Sequence, residues 1–267
     1  MQEKITVIKV GGGKNISYDT VIEELTEMKN YILVHGASNE LNKMQEKTGK
    51  PIKKYQLKSG VESRRTDKEV LELFEMIYCG KVNKTIVEKM QKKGINAVGL
   101  SGVDGRLLEG KRNQAIRIKE GEKDKIVRDD LSGRVEKTNV KLVNLLLKNG
   151  FVPVIAPLAI SYDNYAVNTD GDIAAAVLAK DMKAETMIFL SNVPGLMKDK
   201  EDPTTLLREI NKENFEEAMN YAEGRMKKKM LAAKIALEAE VKNIAFGFSN
   251  VEKPIKNAMK GKGTIIK

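Results

Sequence analysis

Short apolar runs of strand length alternate with longer amphipathic ones along the whole chain, and few folds accommodate that rhythm. Lys4–Val10, Tyr31–His35, Ile95–Leu100, Phe151–Ala156, Glu185–Ser191, Asn243–Phe248 and Thr264–Ile266 are predicted strands. Between them, apolar residues at helical spacing predict helices. The first covers Tyr18–Asn30, with Val21, Ile22, Leu25 and Met28 inward, and the second runs from a Ser38 cap to about Lys47. Others cover Asp67–Lys93 with Gly80 as a dividing point, Thr138–Lys148, Asp172–Lys180, Glu213–Tyr221, Met226–Glu240 and Glu252–Met259. Ala115–Ile118 and Lys125–Arg128, joined through Gly121, read as a hairpin. Regular β-α alternation implies an α/β fold, a three-layer open sandwich with a mainly parallel central sheet covered on both faces. No internal repeat or low-complexity linker interrupts it. The best boundary is the Ser161–Asn168 loop, dividing residues 1–167 from 168–267 across a close interface.

The 267 residues suit one large or two small domains, and 41% apolar against 31% charged residues describes a soluble globular chain. The longest apolar run, Phe151–Ile160, contains Pro153 and Pro157 and falls well short of the ~18–20 residues that cross a bilayer. A strand pattern begins at Lys4, so no secretory leader is expected, and a single cysteine, Cys79, leaves no disulfide framework or cysteine-rich zinc site. These features predict a cytoplasmic protein without a membrane partner. Lys and Arg number 47 against 37 Asp and Glu, a net +10. The excess is 3, 4 and 3 in residues 1–90, 91–180 and 181–267, so there is no basic tail. Between Lys43 and Lys68, however, nine basic residues face three acidic ones: Lys43, Lys47, Lys50, Lys53, Lys54, Lys58, Arg64, Arg65 and Lys68 against Glu46, Glu62 and Asp67. That stretch is either a solvated surface or a docking face for an acidic partner. With aromatics at 5% and Tyr55 alone in it, base stacking is not offered and no nucleic-acid partner is expected.

The absences constrain the chemistry. His35 is the only histidine and Cys79 the only cysteine, so a two-histidine metal site cannot form and nucleophilic catalysis has little material. If the chain is an enzyme, the nucleophile belongs to its substrate. Three strands end in glycine-rich turns: Lys9-Val10-Gly11-Gly12-Gly13, His35-Gly36-Ala37-Ser38 and Leu100-Ser101-Gly102-Val103-Asp104-Gly105. Such turns serve ordinary chain reversal, but at the carboxyl ends of parallel strands they also bring backbone N–H groups close to anions. None matches the P-loop or the dinucleotide fingerprint. Lys9 lies inside a buried-looking strand, where lysine is rare without a partner. Lys229 sits early in a helix, where a cation opposes the dipole unless an anion is offered or the Lys227-Lys228-Lys229 cluster is simply exposed. Asp172 follows Asn168-Thr169-Asp170-Gly171 at a helix start; it is either part of a cap or a carboxylate that orients both lysines.

Together these segments resemble the amino acid kinase family along essentially the whole chain, and its acetylglutamate-kinase branch in particular. The marks are Lys9-Val10-Gly11-Gly12, Val34-His35-Gly36-Ala37-Ser38, Arg64-Arg65-Thr66-Asp67, Asn168 with Asp172, Leu190-Ser191-Asn192-Val193-Pro194-Gly195-Leu196, and Gly224-Arg225-Met226-Lys227-Lys228-Lys229. Within the branch, Met76–Lys84 and Asn96–Arg106 are most similar to kinases acting on aminoadipate attached to an amino-group carrier protein. Two departures separate the chain from the acetylglutamate pattern: Ala37-Ser38 stands for a glycine pair, and Arg225 for the second glycine before Met226.

The resemblance implies a carbamate kinase-like fold, with residues 1–167 holding the acceptor and 168–267 holding ATP. It implies ATP with Mg²⁺, transfer to a side-chain carboxylate, and Lys9, Lys229 and Asp172 as catalytic residues. Gly36, Ala37, Ser38, Arg64 and Asn168 would bind the acceptor. Gly11, Gly12, Ser191, Asn192, Val193, Gly195, Leu196, Gly224 and Met226 would border ATP; no residue is assigned as a metal ligand. It further implies an acidic carrier protein of the LysW type as partner, lysine and arginine biosynthesis as setting, and a homodimer. The open alternatives are an acetylglutamate kinase and, from another class, a non-catalytic nucleotide-binding regulator.

Overall fold

The computed structural model describes residues 4–56, 62–120 and 123–267; the Gly121 turn and Lys58 lie outside them. From the N-terminus, β1 (Thr6–Val10) leads through α1 (Asp19–Leu25) to β2 (Tyr31–His35) and α2 (Ser38–Lys47). A short antiparallel pair, β3 (Lys54–Gln56) and β4 (Glu62–Arg64), precedes one long helical run: α3 (Lys68–Phe74), a π-helix over Glu75–Val82, and α4 (Asn83–Lys92). The middle of the chain is mostly β: β5 (Ala97–Ser101), β6 (Leu108–Arg112), β7 (Ile116–Glu120), β8 (Lys123–Val127) and β9 (Gly133–Thr138). Then come α5 (Val140–Lys148), β10 (Val152–Ala156), β11 (Leu158–Ser161), β12 (Ala166–Asn168) and α6 (Gly171–Asp181). The last part contains β13 (Thr186–Ser191), β14 (Glu209–Ile210), α7 (Phe215–Met219), α8 (Gly224–Glu238), β15 (Asn243–Phe248), α9 (Pro254–Met259) and β16 (Thr264–Ile266).

The eight-stranded sheet has the order β14-β16-β15-β13-β1-β2-β10-β5 and is parallel except between β15 and β16. Both faces are covered. Val7, Val34, Ile155 and Phe189 pack against α6 and α8 on one side, while Ile8, Leu33, Val154 and Ile188 pack under α1, α4 and α9 on the other. A strand buried on both faces needs an unbroken apolar run, which is what Lys4–Val10 and Glu185–Ser191 displayed. Helix α6 is buried nearly all round, and its alanines (Ala174, Ala175, Ala176 and Ala179) let it sit close to both the sheet and α8.

Several expectations are corrected. The first helix stops at Leu25 instead of Asn30: Thr26, Glu27 and Met28 bond back three residues, to Glu23, Glu24 and Leu25, and Asn30 takes a left-handed φ of 55° where the chain enters β2. Ser161–Asn168 is not a loop: Ser161 ends β11 and Ala166–Asn168 returns as β12, part of a second sheet of order β12-β11-β6-β9. That sheet was not foreseen. Gly80 sits within the π-helix rather than at a break, so Asp67–Lys93 remains one continuous helical path.

Candidate active site

Alternation along β1 decides where Lys9 points. Val7 faces α6 and α8, so Lys9, two residues on, faces them too, at the carboxyl end of the strand. The helix it meets begins there. Asp170 caps α6 by accepting from the Asp172 and Ile173 backbone N–H groups, at 2.9 and 3.2 Å. That fixes Asp172 in the first turn, with its carboxylate over the strand end. The Lys9 ammonium lies 2.5 Å from Asp172 Oδ1. From the first turns of α8, Lys229 donates to both carboxylate oxygens, at 3.1 and 3.0 Å. All three side chains are buried, with residue exposures of 6, 6 and 7% for Lys9, Asp172 and Lys229. Burial by itself would raise the Asp172 carboxyl; Lys229 and Lys9 outweigh it and hold the group far below the usual carboxylate range. Burial likewise lowers the Lys229 ammonium, and Asp172 opposes that shift. Two ammoniums and one carboxylate leave a net positive charge at the floor of a cleft.

The cleft encloses about 1240 Å³. It opens where the strand order reverses, between β1 and β13, outside the carboxyl ends of the strands, where open α/β sheets bind ligands. Its walls include Gly11, Gly12, Gly36, Ser38, Arg64 and Asn168, together with Ser191, Asn192, Val193, Gly195, Leu196, Gly224 and Met226. Every residue assigned from the resemblance to catalysis, the acceptor or ATP therefore reaches this space except Ala37, which is buried behind it. The reason is close packing of two strand exits. A side chain on Gly12 would place its Cβ 2.1 Å from the Ala37 backbone N, and Ser38 Oγ and the Asn39 N–H both donate to the Gly12 carbonyl, at 2.9 and 2.7 Å. The Tyr18 hydroxyl lies within hydrogen-bond distance of the Gly11 and Gly36 carbonyls, at 3.1 and 3.0 Å, and fastens the same two turns.

On one wall, Arg64 at the end of β4 donates to Gln45 and Asn42 of α2. Asn168, ending β12, donates to Thr66 Oγ1 at 2.9 Å, so Arg64 and Asn168 are tied to neighbouring points of the same wall. Tyr78 and Phe74 stack there with ring centroids 3.8 Å apart. Burial pushes the Tyr78 phenol up to about 12, with the Ala37 backbone and Arg64 acting in the opposite direction. On the other wall, Thr264 Oγ1 accepts from the Leu196 N–H at 3.0 Å and stands where a Gly195 side chain would go, which sets the turn after β13.

Sequence reasoning missed several lining residues. Helical spacing marks Phe74 only as an inward residue, and Tyr78 enters only within the Met76–Lys84 segment; α3 and the π-helix bring both rings to the wall. Asn113, Ser132 and Arg134 line the cleft from the unforeseen small sheet and the loops beside it. Lys228, whose Nζ lies 3.4 Å from Asp170, was recognised only as part of a basic cluster. His35 enters no catalytic arrangement: it is fully buried, its Nε2 faces Asn83 Nδ2 at 3.1 Å, and Asn83 also donates to the Val154 carbonyl at 3.0 Å. Among the described residues no group of histidine, cysteine, aspartate or glutamate side chains is arranged to hold a metal ion. No helix among them is long and apolar enough to cross a membrane.

Comparison with known proteins gives this geometry its context. The model of the amino acid kinase family matches residues 4–246. The [LysW]-aminoadipate kinase of Deinococcus radiodurans is 47% identical over 264 residues, covering 97% of this chain and 90% of that one. The [LysW]-aminoadipate kinase of Thermus thermophilus is 45% identical over 267 residues, covering 98% and 99%. Carbamate kinase from Giardia lamblia, solved bound to AMP-PNP, superposes with a TM-score of 0.67 at 15% identity, over 99% of this chain and 98% of that one, and so shares the fold. With a buried Lys-Asp-Lys arrangement at the switch point of a carbamate kinase-like sheet and a family match over nearly its whole length, the chain belongs to the amino acid kinase family.

Proposed function

We propose that this chain transfers the γ-phosphoryl group of ATP to the side-chain carboxylate of 2-aminoadipate carried by an acidic LysW-type carrier protein. The product is an acyl phosphate, made in lysine biosynthesis. The observation that carries the reading is the pair of buried ammoniums held on one carboxylate, Lys9 and Lys229 on Asp172, at the floor of the cleft. The names of the Deinococcus and Thermus relatives supply the acceptor.

The acceptor needs no general base, because a side-chain carboxyl with a pKa near ~4 is already ionised at neutral pH. A carboxylate oxygen bonds to the γ-phosphorus, the bond from that phosphorus to the β–γ bridging oxygen breaks, and ADP leaves with the electron pair. The difficulty is bringing two anions together, so fixed positive charge and positioning must supply the catalysis. Lys9 and Lys229 balance the charge on the moving group, and Asp172 keeps both aimed at it. Gly11 and Gly12 offer backbone close to the phosphates. Gly36 and Ser38 meet the reacting end of the acceptor, with Ala37 buried behind them as support, and Arg64 and Asn168 hold its far end. Ser191, Asn192, Val193, Gly195, Leu196, Gly224 and Met226 border the nucleotide. In this reading residues 1–167 serve the acceptor and 168–267 serve ATP. Among the described residues no ligand set for Mg²⁺ stands ready at the cleft floor, where both oxygens of Asp172 are engaged by lysines and Asp170 caps α6. When bound, Mg²⁺ would supply charge neutralisation on the nucleotide's phosphates, which it commonly binds together with retained water. A homodimer, supported by the family resemblance, and a cytoplasmic setting complete the reading.

The deciding assay offers ATP, Mg²⁺ and three acceptors: carrier-bound aminoadipate, carrier-bound glutamate and free acetylglutamate. Turnover of carrier-bound aminoadipate is expected. Glutamate on the carrier differs by one methylene, worth only ~1–3 kcal/mol in a fitted pocket, so dual use in arginine biosynthesis is the second reading. Preference for free acetylglutamate overturns the carrier assignment. Absence of turnover with all three, alongside nucleotide binding, points to a regulator.

A further inference from the structure

Helix α8 opens with an unusual concentration of cations. Arg225, Lys227, Lys228 and Lys229 occupy its first turns, and no acidic residue stands in the first turn to offset them. Cations at a helix N-terminus work against the dipole, so each needs an anion nearby. Lys229 has Asp172 and Lys228 has Asp170. Arg225 is exposed and makes no hydrogen bond or ion pair to any described residue. It lines the cleft and crosses to the turn after β1, where Nη1 lies 3.0 Å from the position a Cβ on Gly13 would take. From there its charge also acts on the opposite wall, on Arg64, Tyr78 and Glu62. Glu62 does not hold it, being bonded to Lys54 at 2.9 Å.

Arg64 illustrates the contrast: its guanidinium is tied down by Gln45 and Asn42. Arg225 is a guanidinium with five donors, poised over a glycine turn at the carboxyl end of the central strand, with no acceptor supplied by the described residues. A planar donor fork suits the oxygens of a phosphate. We propose that Arg225 is a third cation of the transfer site, whose guanidinium holds the γ-phosphoryl group of the bound nucleoside triphosphate above the Gly13 turn while Lys9 and Lys229 hold it from the floor. The proposal rests on the phosphoryl-transfer reading above and names a contact which that reading leaves unassigned.

The test compares the full-length protein with Arg225→Gln and Arg225→Lys, using ATP and ADP binding by calorimetry and single-turnover transfer to the carrier-bound acceptor. Because Arg225 has no partner among the described residues, both variants should melt at the wild-type temperature. Arg225→Gln is expected to weaken ATP binding about tenfold or more while leaving ADP within about twofold, and to slow transfer roughly 10²-fold, the usual effect of removing one such donor. Arg225→Lys should recover part of both losses. Wild-type transfer with an unchanged ATP-to-ADP affinity ratio overturns the proposal, as does an equal loss for ATP and ADP with transfer intact. If the wild-type protein itself fails to bind ATP or to transfer phosphate, the parent reading fails instead, so the two failures are distinguishable.

Discussion

Asp172 holds two buried lysines at once, so the three groups respond differently to truncation. Removing Lys9 leaves Asp172 paired with Lys229, and removing Lys229 leaves it paired with Lys9. Either Lys→Ala variant should therefore fold, while losing a donor that is worth ~2.7–4 kcal/mol of barrier, or ~10²–10³ in kcat. Asp172→Ala leaves two ammoniums buried without a counter-charge and should cost on the order of 3–5 kcal/mol of stability as well as activity. Circular dichroism melts and kcat on the same preparations check the split; wild-type turnover by both lysine variants removes the catalytic assignment. His35 gives a second prediction at this scale. Burial pushes its imidazole down to about 4, the Gly36 backbone opposes this, and Lys9 and Lys84 add to the downward shift. Since that value lies below the ordinary 6.5, the folded chain binds fewer protons than the unfolded chain between the two. Stability from this group is complete above 6.5 and is lost as pH falls toward 4, by about 3–4 kcal/mol at ~1.4 kcal/mol per unit. In His35→Gln that portion of the acid sensitivity should disappear, as measured by urea unfolding across the window; an unchanged slope rejects the assignment.

The two strand exits after β1 and β2 act as one interlocked element. A methyl group on Gly12 would lie 2.1 Å from the Ala37 backbone N, and backbone cannot swing aside. A methyl on Gly13 would press on Arg225 Nη1, at 3.0 Å, the free end of a flexible side chain, and lie at an ordinary contact distance of 3.8 Å from Ile16 Cδ1. Gly12→Ala should therefore cost about 1–3 kcal/mol of stability, in the range of overpacked cores, and open the acceptor turn, whereas Gly13→Ala should melt like wild type. Equal melting temperatures for the two would show that the turns are not locked together. What the sequence revealed of these elements followed from local signals. β1, β2, β10, β13 and β15 are buried on both faces and so announce themselves as apolar runs. The helices announce themselves by spacing, to within a few residues at their ends. The small sheet gave no such signal. Leu108-Glu109-Gly110-Lys111-Arg112 and Gly133–Thr138 mix glycine and charge, and they become strands only by pairing with each other and, through β6, with β11. The π-helix was equally silent, since Glu75–Val82 has an ordinary helical composition. The Lys9, Asp172 and Lys229 site was legible because charges in apolar strands and at helix starts demand partners. Tyr78 and Arg134 were not, because only non-local pairing and the π-helix bring them to the cleft.

Charge organises the molecule at its largest scale, and it bears on how a protein-borne acceptor would arrive. The basic stretch from Lys43 to Lys68 borders Arg64, but folding neutralises part of it. Lys43 pairs with Glu40, Lys50 with Glu69, Lys54 with Glu62, and Arg65 with Asp129 and Asp67. Lys47, Lys53 and Lys68 are exposed and form no ion pair with the described residues. Exposed pairs contribute little to stability, so these lysines are better understood through the field they project toward an approaching acidic carrier. Such a field raises association rates and reaches only as far as the Debye length, ~30 Å at 0.01 M salt and ~8 Å at 0.15 M. For carrier-bound substrate, kcat/KM should therefore fall about tenfold or more over that range while kcat stays constant. A free small acceptor of the same chemistry, which gains much less from steering, should show a much flatter profile. Combining Lys47→Glu, Lys53→Glu and Lys68→Glu should flatten the carrier profile and lower kcat/KM at low salt, again with kcat unchanged and without loss of stability, since no ion pair is broken. If the triple variant keeps the wild-type salt profile, the carrier docks elsewhere on the surface, and the chemistry at Lys9, Asp172 and Lys229 is unaffected by that outcome.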